Sequence, residues 1–250
     1  TACGKENPTP VLVTPDQGCG PTGFCMDPAQ TRFDFPPPSQ DDMLYPKTLW
    51  ATYYNLPIAD SLEEGYALRD LKGRPLGPLV SQKNWCFAAM EGSVIVKEQD
   101  GTQATYNYAG TSDEHQVDCS PFYNHPASHR VKFTKARGQY GDGVKNYLLV
   151  PFRSIAVDRR YFPYGSVFYI PAARGVQIPL PNGKIMVHDG YFFAADTGGL
   201  IKTNHIDVYI GIETKSPFSF IRSNPNKTFT AYVVGDGPIK DYLEKIHLDE

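Results

Sequence analysis

Residues 194–211 read AADTGGLIKTNHIDVYIG, and in this stretch Asp196 and Asp207 stand eleven positions apart. From His205 to Tyr209 polar residues alternate with isoleucine and valine, so a strand there would present one polar and one apolar face. A polar row opposite a buried face is typical of a cleft wall. Because aspartate is depleted inside strands, the pattern predicts a hydrogen-bonding or catalytic reason for Asp207.

Asp196 stands shortly before the pair Gly198 and Gly199. Glycine adopts backbone conformations closed to other residues and lets a ligand approach the main chain closely, so the pair predicts a tight turn beside a site. An aspartate near glycine is also common in turns where its carboxylate caps its own backbone, so Asp196 is either a turn residue or a member of the site. A carboxylate walled by tyrosine, phenylalanine and isoleucine would have a raised pKa, as a general acid working near neutral pH requires.

The composition is that of an ordinary folded domain. Hydrophobic residues make up 41% of the 250 residues and charged residues 20%, with a formal net charge of -3, which excludes a disordered tail and lacks the basic excess of a nucleic-acid binder. The 22 glycines, 22 prolines, 16 tyrosines and 14 phenylalanines favour β-structure with many turns. No run of apolar residues is long enough to predict a membrane-spanning helix.

Prolines and short apolar runs divide the chain. Residues 1–47 hold nine of the 22 prolines, which predicts an extended arm, either a linker from an anchor or a strap over the domain. Asp100-Gly101 predicts a hairpin between residues 93–99 and 102–108. Short helices are predicted at residues 61–70, 79–90 and 239–246.

From Arg130 onward, short runs separated by glycine or proline predict one compact unit, a small barrel. Its candidate strands are Val131–Thr134, Tyr147–Val150, Ser154–Val157, Ser166–Ile170, Lys184–His188, Tyr191–Ala195, His205–Ile210 and Thr228–Val234.

The five cysteines are an odd number. Proximity favours the disulfides Cys19–Cys25 and Cys86–Cys119, although four cysteines permit three connectivities and five free thiols are the alternative. The sequence TACG around Cys3 is similar to the tail of a bacterial lipobox, in which the cysteine is lipidated. We therefore expect a mature secreted or envelope protein.

Three segments together resemble a known family. They are VDR at residues 157–159, DTGGLIK at residues 196–202 and DVY at residues 207–209. These segments are similar to the three-aspartate, or 3D, domain shared with the membrane-bound lytic transglycosylase A family. The resemblance covers about residues 130–235, and ATYY at residues 51–54 resembles the family's opening strand. Thr203 is a departure, because the family usually has a glycine there.

The resemblance implies a six-stranded double-psi β-barrel, whereas residues 1–47 and about 59–129 match no known family. Together with the composition, this predicts a mainly β fold in which the barrel carries an inserted small α+β subdomain and a proline-rich N-terminal arm. We expect the arm at residues 1–47, the barrel at 48–58 and 130–235, the insertion at 59–129 and a C-terminal helix at 236–250.

The resemblance also implies cleavage of the β-1,4 bond between N-acetylmuramic acid and N-acetylglucosamine in peptidoglycan. Asp207 matches the single catalytic acid/base of the family, and Asp196 matches the aspartate beside it. Asp207 would protonate the glycosidic oxygen and then accept the proton of the muramoyl C6 hydroxyl, which closes a 1,6-anhydro ring. Hydrolysis by Asp196 and Asp207 as a carboxylate pair, as in a muramidase, is the nearest alternative. A non-catalytic, expansin-like wall-binding protein is the alternative from a different class.

Several further residues are candidates for substrate binding. They are Tyr54, Asp158, Gly198, Gly199, Lys202, His205 and Tyr209. Asp158 alternatively shapes a barrel turn, and His205 alternatively orients Asp207. Aromatic faces pack on sugar rings or in a core, and the residues open to both interpretations are Tyr53, Tyr54, Tyr191 and Phe192.

No metal and no cofactor is expected, because a set of His188, His205 and Asp207 lacks the fixed spacing of a metal site. The expected partners are peptidoglycan glycan strands and a lipid anchor at Cys3, with no nucleic acid and a monomeric chain. The expected location is the bacterial cell envelope, as a periplasmic, outer-membrane or secreted protein.

Overall fold

Alternating β-branched and aromatic residues give this chain a mainly β structure. The computed structural model describes residues 18–20 and 23–248, so Cys3 and its expected anchor lie outside the described residues. The strands of the described part are, in chain order, β1 (Met43–Tyr54), β2 (Ile58–Asp60), β3 (Tyr66–Arg69), β4 (Pro75–Val80), β5 (Ser93–Lys97), β6 (Gln103–Thr111), β7 (Val131–Lys135), β8 (Ser154–Ala156), β9 (Val167–Tyr169), β10 (Gln177–Pro179), β11 (Ile185–Val187), β12 (Tyr191–Asp196), β13 (His205–Tyr209) and β14 (Phe229–Val234). The helices there are α1 (Gln82–Glu91) and α2 (Pro238–Ile246), with short 3-10 helices at Pro28–Thr31, Pro126–Arg130 and Pro171–Ala173.

Six strands close into a barrel in the order β1-β13-β8-β12-β9-β14. Strand β13 lies between β1, which runs parallel to it, and β8, which runs antiparallel. Strand β12 also pairs in parallel with β8. Closure leaves no free edge strand, and apolar side chains from every barrel strand are buried in one continuous core. The predicted mainly β fold with a six-stranded barrel is confirmed.

A second, four-stranded sheet has the order β2-β5-β6-β7 and a separate apolar core. The predicted hairpin forms its centre, where β5 and β6 pair antiparallel on either side of Asp100-Gly101. Helix α1 packs its buried Trp85 and Cys86 against this sheet. The disulfide Cys86–Cys119 joins the helix to the segment that precedes β7. The other predicted pair, Cys19–Cys25, is also a disulfide in the structure.

Several predicted elements differ from the observed ones. Residues 131–135 were expected in the barrel but form β7, because they complete the antiparallel edge beside β6. Residues 61–70 contain no helix, since their second half is β3, which pairs with β4. Residues 184–188 contribute β11 to a two-stranded sheet with β10 and lie outside the barrel. Residues 147 and 148 form only isolated bridges. The domain boundaries themselves stay a prediction.

The described part of the arm is a strap over the barrel. Its side chains Phe24, Phe33 and Phe35 are buried in the barrel core. The Tyr191 hydroxyl donates to the carbonyl of Pro36, and the Tyr140 hydroxyl donates to the carbonyl of Cys25. Strand β1 also begins at Met43, within the predicted arm. Apolar burial therefore fixes this segment against the barrel despite its prolines.

Candidate active site

Asp207 stands at the middle of β13 with its side chain half-buried. The parallel register of β1 and β13 places Thr52 opposite Asp207, and the Thr52 hydroxyl lies 2.7 Å from Asp207 Oδ1. The pKa of Asp207 is raised to about 7, mainly by burial; the hydrogen bond from Thr52 opposes this shift, and the nearby carboxylates of Glu91 and Asp196 add to it. Asp207 is therefore a carboxylic acid that retains its proton close to neutral pH.

Asp196 ends β12 and is also half-buried. Its Oδ2 accepts a hydrogen bond of 2.7 Å from the Tyr54 hydroxyl, and its Oδ1 accepts one of 2.8 Å from the Thr197 backbone. Burial raises the pKa of Asp196 to about 6, although these two hydrogen bonds favour its charged form. Burial and the neighbouring Asp196 raise the pKa of Tyr54, so the phenol keeps its proton and donates it. Tyr54 is thus buried in the barrel core with its hydroxyl on Asp196, and its predicted contact with substrate stays a prediction.

A third carboxyl group comes from α1. Gly92 has the left-handed φ of 89° that closes the helix, which leaves Glu91 as its last helical residue. The Glu91 carboxylate accepts a hydrogen bond of 2.9 Å from the Asn55 backbone at the end of β1. Burial raises the pKa of Glu91, and its charge raises the pKa of Asp207. Glu91 could not be predicted as a site residue, because no local pattern indicates which helix end meets the barrel.

His205 lies two residues before Asp207 and is only 7% exposed. The indole ring of Trp50 stacks on its imidazole with ring centroids 3.6 Å apart. His205 Nε2 lies 2.8 Å from the Thr52 hydroxyl, the same hydroxyl that contacts Asp207. Trp50 and Thr52 were also missed as site residues. The alternation in β1 could have indicated them, but only with knowledge that this strand pairs in parallel with β13.

Asp158 shapes a turn. Its carboxylate accepts hydrogen bonds from the backbone and guanidinium of Arg160 and from the backbone of Thr203. These bonds hold the pKa of Asp158 well below its usual range. Asp158 thereby connects the turn after β8 with the turn before β13. This geometry supports the turn interpretation of Asp158 and gives no support to the predicted substrate contact.

Thr203 has a left-handed φ of 54°, at the position where the family usually has glycine. A side chain in this conformation costs roughly 1–2 kcal/mol, whereas glycine adopts it freely. We expect Thr203→Gly to raise the free energy of unfolding by up to about 1 kcal/mol, after the greater backbone entropy of glycine in the unfolded chain is subtracted. Urea unfolding measures the change. The exposed Thr214 has no positive φ, so Thr214→Gly is the control and should lower the free energy of unfolding. Equal effects of Thr203→Gly and Thr214→Gly would contradict backbone strain at Thr203.

The glycine pair behaves differently from the prediction. Neither Gly198 nor Gly199 has a positive φ, so neither adopts the left-handed backbone conformation that favours glycine. The space beside Gly199 is open, whereas a Cβ at Gly198 would meet Ile201 at 2.8 Å. There is therefore space for a ligand to approach the main chain at Gly199 but not at Gly198. Lys202 is exposed on the same loop.

Three predicted aromatic contacts are buried. Tyr209 is fully buried, and its hydroxyl donates to the carbonyl of Tyr140, so it packs beneath Tyr54 and is not exposed to a glycan. The reason is that both faces of β13 are covered at this end of the strand. Tyr191 and Phe192 are fully buried core residues.

His188 belongs to the core and not to a metal set. It is buried, its Nε2 hydrogen-bonds with the carbonyl of Phe152, and its Nδ1 accepts from the Gly190 backbone. Both ring nitrogens are thus occupied. Among residues 18–20 and 23–248, no group of three or more histidine, cysteine, aspartate or glutamate side chains is arranged to hold a metal ion.

Comparison with known proteins identifies the class. The family model of the 3D domain matches residues 153–217, which contain Asp158, Asp196 and Asp207. No curated protein matches the chain. Residues 153–217 therefore match a 3D domain, and the strands β8, β9, β12 and β13 of this region belong to the closed barrel.

Solved structures specify the fold further. E. coli MltA with bound chitohexaose shares 17% identity and a TM-score of 0.50, over 76% of this chain and 72% of that chain. A membrane-bound lytic murein transglycosylase from Agrobacterium tumefaciens shares 14% identity and a TM-score of 0.47, over 80% and 76%. MltA from Neisseria gonorrhoeae shares 13% identity and a TM-score of 0.45, over 77% and 74%. The chain thus contains a 3D domain at residues 153–217 and has an MltA-like fold.

Neither helix of the described residues combines the length and the hydrophobicity that crossing a membrane demands.

Proposed function

We propose that this protein is a peptidoglycan lytic transglycosylase with Asp207 as its acid/base. The observation that carries the proposal is the half-buried Asp207 carboxyl, whose pKa of about 7 keeps it protonated near neutral pH in the wall of the barrel. A wall-binding protein without activity has no need of such a group, and strongly perturbed carboxyl groups cluster at catalytic sites. The 3D-domain match and the MltA-like fold support the same reaction. The location that follows is the bacterial cell envelope.

The reaction uses Asp207 twice. Neutral Asp207 gives its proton to the oxygen of the bond between N-acetylmuramic acid and N-acetylglucosamine, and positive charge develops on the muramoyl ring as that bond breaks. The resulting carboxylate then accepts the proton of the C6 hydroxyl, whose oxygen attacks C1 and closes the 1,6-anhydro ring. Asp207 ends protonated, and no water is consumed.

Asp196 supports the charge that develops in this reaction. Its lower pKa, of about 6 against about 7 for Asp207, leaves Asp196 the more readily ionised of the two. A carboxylate held by the Tyr54 hydroxyl beside the reacting ring stabilises an oxocarbenium-like state electrostatically. The pairing of two carboxyl groups with raised pKa values also favours a second candidate, two-carboxylate hydrolysis.

Purified sacculi test the proposal. We expect the protein to release muropeptides that carry a 1,6-anhydro ring, with a mass one water lower than the hydrolytic product. Products with the added water would establish hydrolysis by Asp196 and Asp207. Binding of sacculi without any soluble product would establish a non-catalytic wall-binding protein.

The pH dependence of product release follows from the pKa of Asp207. The acid must be protonated, so we expect the initial rate to fall as the pH rises above about 7, by about tenfold per pH unit at the limit. Initial rates of release between pH 5 and pH 9 measure this fall, which is the alkaline limb of the pH–rate profile. A rate that is constant over pH 7 to 9 would remove Asp207 from the role of acid.

A further inference from the structure

The Thr52 hydroxyl lies between two titratable groups. It is 2.7 Å from Asp207 Oδ1 and 2.8 Å from His205 Nε2. A hydroxyl has one proton to donate and lone pairs that accept, so it can donate to only one of these neighbours at a time. The direction of its hydrogen bond must therefore change with the protonation of the groups on either side.

We propose that Thr52 joins Asp207 and His205 into one proton-sharing array, in which His205 is a positioning residue that acts on Asp207 through the Thr52 hydroxyl. The inference deepens the proposed function, because it concerns the same site.

Two arrangements satisfy both contacts with the same number of protons. In the first, protonated Asp207 donates to Thr52, and Thr52 donates to a neutral His205 Nε2. In the second, protonated His205 donates from Nε2 to Thr52, and Thr52 donates to the Asp207 carboxylate. Conversion of the first into the second moves the Asp207 proton to Thr52 Oγ1 while the original Thr52 proton moves to His205 Nε2. In both arrangements Thr52 is a hydrogen-bonding partner of Asp207. In the reaction the Asp207 proton leaves the array for the glycosidic oxygen, and the Thr52 hydroxyl donates to the resulting carboxylate.

The surroundings shift the pKa values of Asp207 and His205 in opposite directions. Asp207 is faced by Thr52 from β1, by Asp196 from β12 and by Glu91 from α1, and burial raises its pKa to about 7. Burial lowers the pKa of His205, and a hydrogen bond with the Leu200 backbone opposes this effect. The stacked indole of Trp50 covers one face of the imidazole, so Nε2 is held toward Thr52. Groups that interact this closely titrate as a pair.

Imidazole NMR tests the array without any substrate. The His205 signals, assigned by comparison with His205→Gln, are followed from pH 4 to pH 9 in the wild type and in three variants. In the wild type we expect two steps, of which one follows the ionisation of Asp207. Thr52→Val and Asp207→Asn should each leave a single step, while Thr52→Ser retains the hydroxyl and should retain both. Identical His205 curves in the wild type, Thr52→Val and Asp207→Asn would overturn the proposal.

Rates of product release give an independent measurement. Because the hydrogen bond from Thr52 favours the Asp207 carboxylate, Thr52→Val should move the alkaline limb of the pH–rate profile to higher pH, and Thr52→Ser should leave it in place. Amide spectra establish that each variant is folded. If His205 and Asp207 titrate together but the protein releases no muropeptides, the array is supported and the transglycosylase function is rejected. If the protein releases anhydro products but the two groups titrate independently, the function is supported and the array is rejected.

Discussion

We expect Asp207→Asn to abolish the release of muropeptides from sacculi and to leave the barrel folded. The change removes the ionisable proton but preserves the shape of the side chain, and its amide oxygen still accepts from Thr52. Loss of a general acid lowers a rate by about 10²–10⁴-fold, and here the same group also supplies the base. The initial rates of the variant and the wild type should be compared at pH 6, because most of the wild-type Asp207 is protonated there and the difference in rate is largest.

The stability of the same variant separates lost chemistry from lost structure. Burial and two neighbouring carboxyl groups raise the folded-state pKa of Asp207, so its ionisation destabilises the wild type as the pH rises through about 7. A neutral asparagine removes this effect, and we expect Asp207→Asn to have a higher melting temperature than the wild type at pH 8. Asp60 is an exposed aspartate on β2, so Asp60→Asn is the matched control and should retain full activity. An Asp207→Asn protein that is folded and fully active would refute the assignment.

The barrel and its two aspartates could be predicted because one continuous motif carries them. Asp196 lies on β12 and Asp207 on β13, and both strands pair with β8. The spacing of the two aspartates in the motif therefore reflects the position of their strands in the barrel. Proximity likewise sufficed for the disulfides Cys19–Cys25 and Cys86–Cys119. Local sequence could predict a contact where the two residues are close along the chain or belong to the same motif.

Long-range contacts account for what the sequence did not reveal. Thr52 and Asp207 are separated by 155 positions, and only parallel pairing brings them together. Glu91 contacts the site from α1. The sequence pattern of α1 indicates only which of its side chains pack against the second sheet. Tyr209 continues the polar row of β13, yet the closed barrel buries it, because alternation cannot show that a strand is covered on both faces.

Arg153→Met produces the largest expected loss of stability. The Arg153 guanidinium is fully buried and donates two hydrogen bonds to Asp189, of 2.7 and 2.9 Å, together with one to the carbonyl of Tyr191 and one to the carbonyl of Arg32. It also lies over the ring of Phe33, so it joins the strap to the barrel. Removal of one partner from a buried ion pair leaves an uncompensated charge and costs about 3–5 kcal/mol. Urea unfolding with the disulfides intact measures the loss.

A surface pair provides the control for this change. Arg137 lies 3.6 Å from Asp142 with its side chain 43% exposed. The Asp142 side chain is 16% exposed, but its carboxylate also accepts from the backbones of Arg137 and Gly138, so it keeps partners when the Arg137 guanidinium is removed. Exposed pairs contribute about 0–1 kcal/mol, and Arg137→Met should likewise have a small effect. Addition of Asp189→Asn to Arg153→Met should recover part of the lost stability, because it removes the buried charge. Equal losses from Arg153→Met and Arg137→Met would show that the buried pair does not anchor the strap.

The pH dependence of the Arg153→Met deficit identifies its cause. Burial, the largest single cause, would raise the pKa of Asp189, but the hydrogen bonds and the charge of Arg153, together with His188 and the Tyr191 backbone, lower it. Without Arg153 the folded-state pKa of Asp189 rises above its unfolded value, so the variant gains a proton, and stability, as the pH falls through that raised pKa. Arg153 also contributes, after burial, to the lowered pKa of His188, so its removal eases protonation of His188 in the folded state and acts in the same direction. The deficit relative to the wild type should therefore be largest at pH 8 and smaller at pH 5, whereas a deficit caused only by lost apolar packing would be the same at both.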